Sequence, residues 1–149
     1  MEAKIEKIEF RQIEDDDFDF LWRLHNATLK KYVSQTWGWD ETWQKKNFAG
    51  EFETKNGKII VFEKRDAGFF WFKEKPEENL LVSIRLLPEF QNKGIGTQII
   101  KNLTKHSEKP FRLQVLKVNP ARRLYERLGF QITEETETHF VMKFLRNNV

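Results

Sequence analysis

"PEFQNKGIGTQII", residues 88–100, joins an apolar run to a stretch with helical periodicity. The run before it, LLVSIRLL, is long enough for a buried strand, and the apolar residues that follow Gly94 recur on one helical face. At the start of a helix, free backbone N–H groups and the helix dipole attract anions. Gly94 and Gly96 allow a ligand close to the backbone, and Lys93 adds a cation. The segment therefore predicts an anion site that suits a pyrophosphate.

Two common phosphate-binding motifs are absent from this segment. The chain has no GxxxxGK[ST] loop and no GxGxxG followed by an acidic ribose partner. A Gly-x-Gly pattern alone is equally typical of a tight strand-to-helix turn that binds nothing. The loop therefore has to be interpreted together with the rest of the chain.

Helix boundaries on both sides of the loop are marked by capping residues. Gly38 ends a first helical stretch that starts acidic and ends basic, and Asp40 is available to cap a second helix. Near the C-terminus, Asn119 is a predicted N-cap, Pro120 suits the first helical position and Gly129 follows the last turn. These signals predict helices before and after the glycine loop.

Apolar runs between turn signals predict the strands. Asn56-Gly57, Arg65-Asp66 and the segment 76–79 are predicted turns. The predicted strands are 5–13, 58–64, 67–75, 80–87, 111–117, 130–135 and 138–145, and the predicted helices are 15–33, a segment from Asp40 onward, 96–107 and 120–128. The order β-α-α-β-β-β-α-β-α-β-β predicts a mixed α/β (α+β) sheet in a single domain, 1–149.

Composition limits the classes of function. The chain has 149 residues, 39% of them apolar, a net charge of +3 and no cysteine, which excludes disulfides and thiolate metal sites. The small, scattered basic excess suits a phosphate-bearing small molecule better than nucleic acid. No apolar run reaches the roughly 20 residues of a membrane span, and the N-terminus lacks a signal-peptide pattern. We therefore expect a cytoplasmic protein with neither nucleic-acid nor membrane partners.

The loop is one of two motifs that stand at a defined separation in the sequence. They are Gln91, Asn92, Lys93, Gly94, Ile95 and Gly96 in the loop, and Asn119, Ala121, Leu124, Tyr125, Glu126, Gly129 and Phe130 after it. In this pairing the chain resembles the GNAT superfamily of acetyl-CoA-dependent N-acetyltransferases. The resemblance spans essentially the whole chain and implies a GNAT-like fold. That fold has about seven mostly antiparallel strands, splayed between the fourth and fifth, and about four helices.

The resemblance also implies which residues bind acetyl-CoA. Backbone amides from Asn92 to Thr97 would hold the pyrophosphate, and the strand edge from Ile84 to Leu86 would pair with the pantetheine arm. The implied cofactor-binding residues are Ile84, Arg85, Leu86, Gln91, Asn92, Lys93, Gly94, Ile95, Gly96, Thr97, Asn119 and Arg122. No metal is expected, because His106 has no ligand partner nearby in sequence and His25 fits a core position.

For catalysis, the resemblance implies two groups. The backbone N–H near Leu86 would stabilise the oxyanion, and Tyr125 would protonate the departing thiolate as general acid. Tyr125 shares a helical stripe with Ala121 and Leu128, so a packing role is the alternative.

The general base is open. Gln114 stands where some relatives have a Glu, and an amide cannot take a proton at neutral pH. Asp40, Glu41, Glu89 and His139 are candidates, and each has the alternative of being a solvated surface group.

The segment WGWDETW offers an acceptor site. Trp37 and Trp39 could face a cationic amine, with Asp40 and Glu41 as its counter-charges. The alternative is that these tryptophans only pack the second helix.

Three functions from different classes follow. The first is an N-acetyltransferase that moves acetyl from acetyl-CoA to a primary amine of a small molecule or peptide, by direct attack in a ternary complex. The second is a non-catalytic acyl-CoA-binding or regulatory module, and the third is an anion-binding module without CoA. The sequence does not name the amine acceptor, and a homodimer through exposed strands is compatible with the family.

Overall fold

A computed structural model describes residues 5–145. The predicted bounds, 1–149, extend beyond these residues at both ends. The elements are β1 (Ile8–Arg11), α1 (Phe18–Trp37), α2 (Glu41–Glu53), β2 (Lys58–Phe62), β3 (Arg65–Glu74), β4 (Asn79–Leu86), α3 (Ile95–Lys105), β5 (Phe111–Leu116), α4 (Ala121–Arg127), β6 (Gln131–Glu135) and β7 (His139–Phe144). Their order confirms the predicted α/β succession.

The seven strands form one sheet in the order β1-β2-β3-β4-β5-β7-β6. All neighbouring pairs are antiparallel except β4 and β5, which run parallel. A parallel pair requires a crossover, and α3 provides it. The predicted mostly antiparallel sheet with four helices is confirmed.

The sheet opens between β4 and β5. These strands pair only at Asn79↔Phe111 and Leu80↔Arg112, and they diverge beyond that point. β4 also contains a bulge, because Trp71 pairs with Ser83 and Phe72 with Leu81, which leaves Val82 as an extra residue. The end of β4 is therefore paired with β3 on one edge and open on the edge that faces β5.

Two apolar clusters hold the helices to the sheet. Leu24 of α1 and Ile95 of α3 are fully buried with the core of β2. Ile100 of α3 is buried in the second cluster with Phe111 of β5 and Phe130. Burying aliphatic and aromatic side chains of this size contributes about 1.5–3 kcal/mol each. The clusters fix α3, and with it the loop that precedes α3.

An ion pair between Arg11 and Asp17 fixes the start of α1. The guanidinium of Arg11 in β1 donates to both carboxylate oxygens of Asp17, at 2.9 and 2.8 Å, and to Asp66 of β3. Asp17 is buried, and its hydrogen bonds with Arg11 hold the pKa of its carboxyl below the usual range. A charge removed from water is tolerated when it is paired in this bidentate way.

Several predicted boundaries were wrong, and the first helix, predicted as 15–33, is Phe18–Trp37. Residues 5–7 form a short 3₁₀ turn rather than the start of a strand. The turn predicted at Arg65-Asp66 lies instead at Glu63 and Lys64, both with positive φ, as a two-residue type I′ hairpin requires. α4 begins at Ala121, although the side chain of Asn119 still caps it by accepting from the Ala121 N–H at 2.9 Å.

Candidate active site

The glycine loop leaves backbone donors free at the start of α3. Asn92 and Gly94 have left-handed backbone angles, with φ of 61° and 81°. The first hydrogen bond of the helix runs from the N–H of Gln98 to the carbonyl of Gly94 at 2.9 Å. The N–H groups of the preceding turn have no intrahelical acceptor, as in any helix. The loop can therefore offer several donors to one anion, as its sequence predicts.

The loop is tied to the end of β4. Gln91 Nε2 donates to the carbonyl oxygen of Leu86 at 2.9 Å, and the N–H of Leu87 donates to the carbonyl of Ala67 in β3 at 2.9 Å. Gly68 lies at the closest approach of the two strands, because a Cβ there would overlap the carbonyl oxygen of Arg85. The side chain of Gln91 thus holds the loop against the strand end.

A cleft of about 530 Å³ runs along this loop. Its walls come from α1, the end of β4, the loop and α4. The lining residues are Ala27, Thr28, Leu29, Lys31, Tyr32, Ile84, Arg85, Leu86, Pro88, Gln91, Asn92, Gly94, Ile95, Gly96, Thr97, Asn119, Pro120, Ala121, Leu124 and Arg127. Ten of the predicted cofactor residues line it, and only Lys93 and Arg122 do not.

Arg122, the predicted cation from α4, is paired within its own helix. Arg122 Nε lies 3.0 Å from Glu126 Oε1, and its guanidinium lies 5.3 Å from the centre of the Phe140 ring. Arg127 lines the cleft instead. One helical turn separates Arg122 from Glu126, and that spacing in the sequence could have indicated the ion pair.

The sequence also missed the contribution of α1 to the cleft. Leu21 and Leu24 face the core, whereas Thr28, Lys31 and Tyr32 line the cleft. The only sequence signal was the polar and small residues on the second half of the helix, which are also typical of a solvent-exposed face.

Tyr125 lies near the opening between β4 and β5 but is buried. It is 9% exposed and belongs to the core cluster that contains Leu81 of β4, Leu113 and Val115 of β5. Burial raises the pKa of Tyr125 to about 12, against a smaller opposing effect of the Arg85 charge. Its neighbours Ala121 and Leu124 line the cleft, and Tyr125 is not among the lining residues.

The predicted acceptor segment carries interactions of its own. Asp40 caps α2 by accepting from the Trp43 N–H at 3.0 Å. Glu41 accepts from Trp39 Nε1 at 2.7 Å and pairs with Lys30 Nζ at 3.5 Å. None of these residues, nor Trp37, lines either of the two cavities around β4. Trp37 is 60% exposed, with its ring 5.9 Å from that of His139.

The candidate bases are spread over the surface. Gln114 is exposed on β5 opposite Val141, and Glu89 is exposed in a 3₁₀ turn. His139 Nδ1 lies 2.8 Å from the hydroxyl of Thr138. Neither Glu89 nor His139 lines the cleft.

A second cavity, of about 430 Å³, lies on the other face of β4. It is lined by α1, α2, β3 and β4, with Phe48, Phe52, Phe69 and Trp71 as aromatic walls and Glu51 as its carboxylate. Arg85 borders this cavity as well as the cleft. The sequence does not predict this cavity, because its walls come from four separate segments.

Arg85 reaches His25 of α1. Arg85 Nη1 lies 3.2 Å from His25 Nδ1, and a guanidinium only donates, so Nδ1 accepts and the ring proton is on Nε2. Burial, and then the charge of Arg85, lower the pKa of His25 to about 4, against a small opposing effect of Gln44. His25 also packs among Trp22, Trp39 and Phe48. The predicted core histidine is thus neutral and bound to an arginine.

Comparison with known proteins agrees with this geometry. A family model described as an acetyltransferase (GNAT) domain matches residues 55–132, more than half of the chain. The chain belongs to the GNAT acetyltransferase family. No curated protein matches the sequence.

Solved structures share the GNAT fold. PaiA N-acetyltransferase from Thermoplasma acidophilum, in complex with coenzyme A, has a TM-score of 0.68 at 18% identity, over 93% of this chain and 99% of its own. The ribosomal-protein-S18-alanine N-acetyltransferase from Escherichia coli has a TM-score of 0.63 at 20% identity, over 92% of each chain. An acetyltransferase from Thermus thermophilus has a TM-score of 0.70 at 12% identity, over 96% and 98%. At these identities the likeness shows the fold.

Two further observations concern residues 5–145 of this GNAT protein. None of the helices there combines the length and the apolar character that a membrane span needs. No group of three or more His, Asp or Glu side chains in the same range is arranged to hold a metal ion.

Proposed function

We propose that this GNAT protein transfers acetyl from acetyl-CoA to a primary amine of a small molecule or peptide, by direct attack in a ternary complex. The observation that carries the proposal is the position of the cleft. It connects the free amides of the glycine loop with the open edge of β4. The CoA complex of PaiA supports the same ligand for this chain.

The loop and the strand edge have different parts in binding. N–H groups from Asn92 to Thr97 would hold the pyrophosphate at the helix start. On the edge of β4 that faces away from β3, the Leu86 carbonyl already accepts from Gln91, and the other outward backbone groups from Ile84 to Leu86 would pair with an extended pantetheine amide chain. Asn119 lines the opposite wall, and Arg127 is the α4 cation for the phosphates in this proposal.

The chemical step places the reacting groups at the opening of the sheet. Acetyl-CoA supplies the activated acetyl group as a thioester. The attacking nitrogen adds to its carbonyl carbon, and the N–H of Leu86 stabilises the negative oxygen that forms. Collapse then forms the amide, breaks the C–S bond and releases the thiolate, while the nitrogen loses a proton to solvent.

In this proposal Tyr125 supplies the proton to the sulfur. With a pKa raised to about 12, its hydroxyl is fully protonated at neutral pH. A thiol has a pKa near 8.5, so complete transfer from the phenol is uphill by about 3–4 pK units. The hydroxyl can therefore act as a hydrogen-bond donor to the sulfur first, and solvent replaces the proton that Tyr125 gives.

The non-catalytic acyl-CoA-binding module is the second candidate. It is favoured by two observations, the absence of Tyr125 from the cleft lining and the amide of Gln114 in place of a carboxylate. A module of this kind would keep the loop and the cleft and would lack turnover.

Two measurements separate the candidates. Acetyl-CoA should raise the thermal midpoint by several degrees, as any ligand of the native state does. A panel of primary amines with acetyl-CoA should release free CoA thiol, with the acetylated amine identified by mass. Stabilisation without thiol release across the panel would favour the module, and no stabilisation would remove both candidates.

A further inference from the structure

The guanidinium of Arg85 carries a charge that the proposed acetyl-transfer step does not use. It is half-buried, and its hydrogen-bond partner in the structure is neutral His25. No carboxylate within residues 5–145 lies within ion-pair distance of it. Taking a cation out of water without an anionic partner is costly, so an anionic ligand would stabilise this group.

Burial disfavours the charged form of the Arg85 guanidinium. It lowers the pKa of Arg85 to about 10, and the more distant carboxylate of Glu51 opposes that effect without forming an ion pair. The cation therefore stays charged at neutral pH and remains incompletely compensated by the protein.

The strand geometry directs Arg85 to the second cavity. Successive side chains of a strand point to opposite faces. A Cβ at Gly96 would lie 3.9 Å from Ile84 Cδ1 and 4.0 Å from Leu86 Cδ1, so these two neighbours point towards α3. Arg85 points the other way, towards α1, where it meets His25 and lies 5.6 Å from the centre of the Phe69 ring.

The surroundings of Arg85 orient the guanidinium. Phe69 is its register partner on β3, and His25 accepts one of its N–H groups. A guanidinium carries five N–H donors, so others remain for a planar oxyanion. The same cavity offers aromatic walls for an apolar body and the carboxylate of Glu51 for an ammonium group.

We propose that the cavity between α1, α2, β3 and β4 takes an amine acceptor that carries a carboxylate beside an apolar body, and that Arg85 binds this carboxylate. The proposal rests on the proposed N-acetyltransferase function and adds the chemical class of the acceptor. It differs from the cationic acceptor that the tryptophan-rich segment predicts. Arg85 is here a specificity-determining residue that acts through its side chain.

Matched pairs of amines test the class directly. Phenylalanine and phenethylamine, leucine and 3-methylbutylamine, and tryptophan and tryptamine differ by one carboxylate each. Wild-type protein should acetylate the carboxylated member of at least one pair with a kcat/KM at least tenfold higher. Equal rates, or a preference for the decarboxylated members, would overturn the proposal while leaving the acetyltransferase function in place.

Substitutions at Arg85 assign the preference to this side chain. Arg85→Gln should lower kcat/KM for the carboxylated amine by about 10- to 100-fold, because a charge-assisted bidentate contact is lost. Arg85→Lys keeps the charge without the fork, and about a threefold to tenfold loss is expected. Arg123→Gln, which removes an exposed cation from α4, is the control and should stay within twofold. Equal losses for both members of a pair would contradict a carboxylate contact.

A binding measurement makes the test independent of turnover and of folding. 3-Phenylpropanoate and 3-phenylpropanamide are titrated calorimetrically into the CoA complex of each variant, after its thermal midpoint and acetyl-CoA affinity are measured. The anion should bind wild type at least tenfold more tightly than the amide, and Arg85→Gln should remove the difference. If no amine is acetylated but the anion still binds through Arg85, the anion site stands and the proposed function fails. If wild type does not prefer the anion, the site is wrong.

Discussion

The cleft and the second cavity lie on either side of β4 and are built in different ways. The anion site in the cleft depends on backbone, with the left-handed residues Asn92 and Gly94 and the open edge of β4. The second cavity is made of side chains, with Arg85, Glu51 and aromatic rings from separate elements. Backbone sites need glycines at fixed positions and so can be recognised in a sequence. Side-chain cavities need only compatible shapes, which many residue combinations provide.

This difference explains why the sequence predicts the acyl-CoA site and leaves the acceptor open. Acetyl-CoA is the ligand that a family shares, whereas each member requires its own acceptor. Variants can test the comparison, because substitutions in the backbone site should change acetyl-CoA affinity while those in the side-chain cavity change acceptor kinetics.

The largest effect is expected at Tyr125, which is buried beside Leu81 of β4 and Leu113 of β5. Tyr125→Phe keeps the ring packed against Phe130 and removes the hydroxyl. If the hydroxyl supplies the proton, kcat should fall by about 10²- to 10⁴-fold, with acetyl-CoA affinity nearly unchanged. Rapid mixing and equilibrium binding measure the two quantities.

A control separates this role from packing. Phe lacks only the hydroxyl, so the thermal midpoint should change by a few degrees at most. Turnover within about threefold of wild type would reject the acid role and leave Tyr125 as a packing residue.

The second effect sharpens the description of the backbone site. Gly94 has a φ of 81°, which a residue with a Cβ adopts only with strain, whereas Gly96 has an ordinary helical backbone. A Cβ at Gly96 would make ordinary contacts of 3.9–4.0 Å with side chains of the cleft wall. Gly94→Val should therefore lower the stability of the fold, and Gly96→Val should not. Each variant should raise the Kd for acetyl-CoA by at least about tenfold.

Calorimetry of ligand binding and thermal unfolding measure the two variants side by side. A Gly96→Val protein with unchanged acetyl-CoA affinity would show that the ligand does not approach this turn. A Gly94→Val protein with unchanged stability would show that the left-handed backbone is not required.

The sequence predicted the element ends that are marked by turn and capping residues. Gly38, Asn56-Gly57 and Gly129 mark real element ends, and the apolar runs between them are real strands. The turn at Glu63-Lys64 was missed because neither residue favours a positive φ by itself, so the strand pairing imposes it. The bulge at Val82 was missed because it appears only in the register between β3 and β4.

The site was predictable in part. The loop residues carry their own signal, whereas the choice between Arg122 and Arg127 depends on which way α4 faces, and short helices give little periodicity to decide that. The position of Arg85 could be read from strand alternation, but its lack of a carboxylate partner is a property of the packed molecule.

The third effect is a pH dependence of folding stability, and it arises from His25, which contacts Arg85 of the second cavity. His25 has a pKa of about 4 in the folded protein, below the ordinary 6.5, because burial and Arg85 disfavour its charged form. The unfolded chain therefore binds the proton more readily. The stability that neutral His25 contributes is fully present above about pH 6.5 and is lost as pH falls towards 4.

Urea unfolding at pH 7 and at pH 4 measures this contribution. Wild type should lose about 1–2 kcal/mol more over this interval than His25→Gln, which can still accept from Arg85 but does not titrate. Equal losses in the two proteins would show that His25 is not the titrating group.

The smallest effect is expected where the sequence predicted the acceptor site. Asp40 already caps α2, and Glu41 already accepts from Trp39 and pairs with Lys30, so both carboxylates have partners within the chain. Asp40→Asn with Glu41→Gln keeps the shapes, and Asn is itself a good N-cap. With any acceptor found in the amine panel, KM should stay within about twofold of wild type, as expected for surface substitutions. A tenfold rise in KM at unchanged acetyl-CoA affinity would place the acceptor's ammonium group at the tryptophan-rich segment and not at Glu51 of the second cavity.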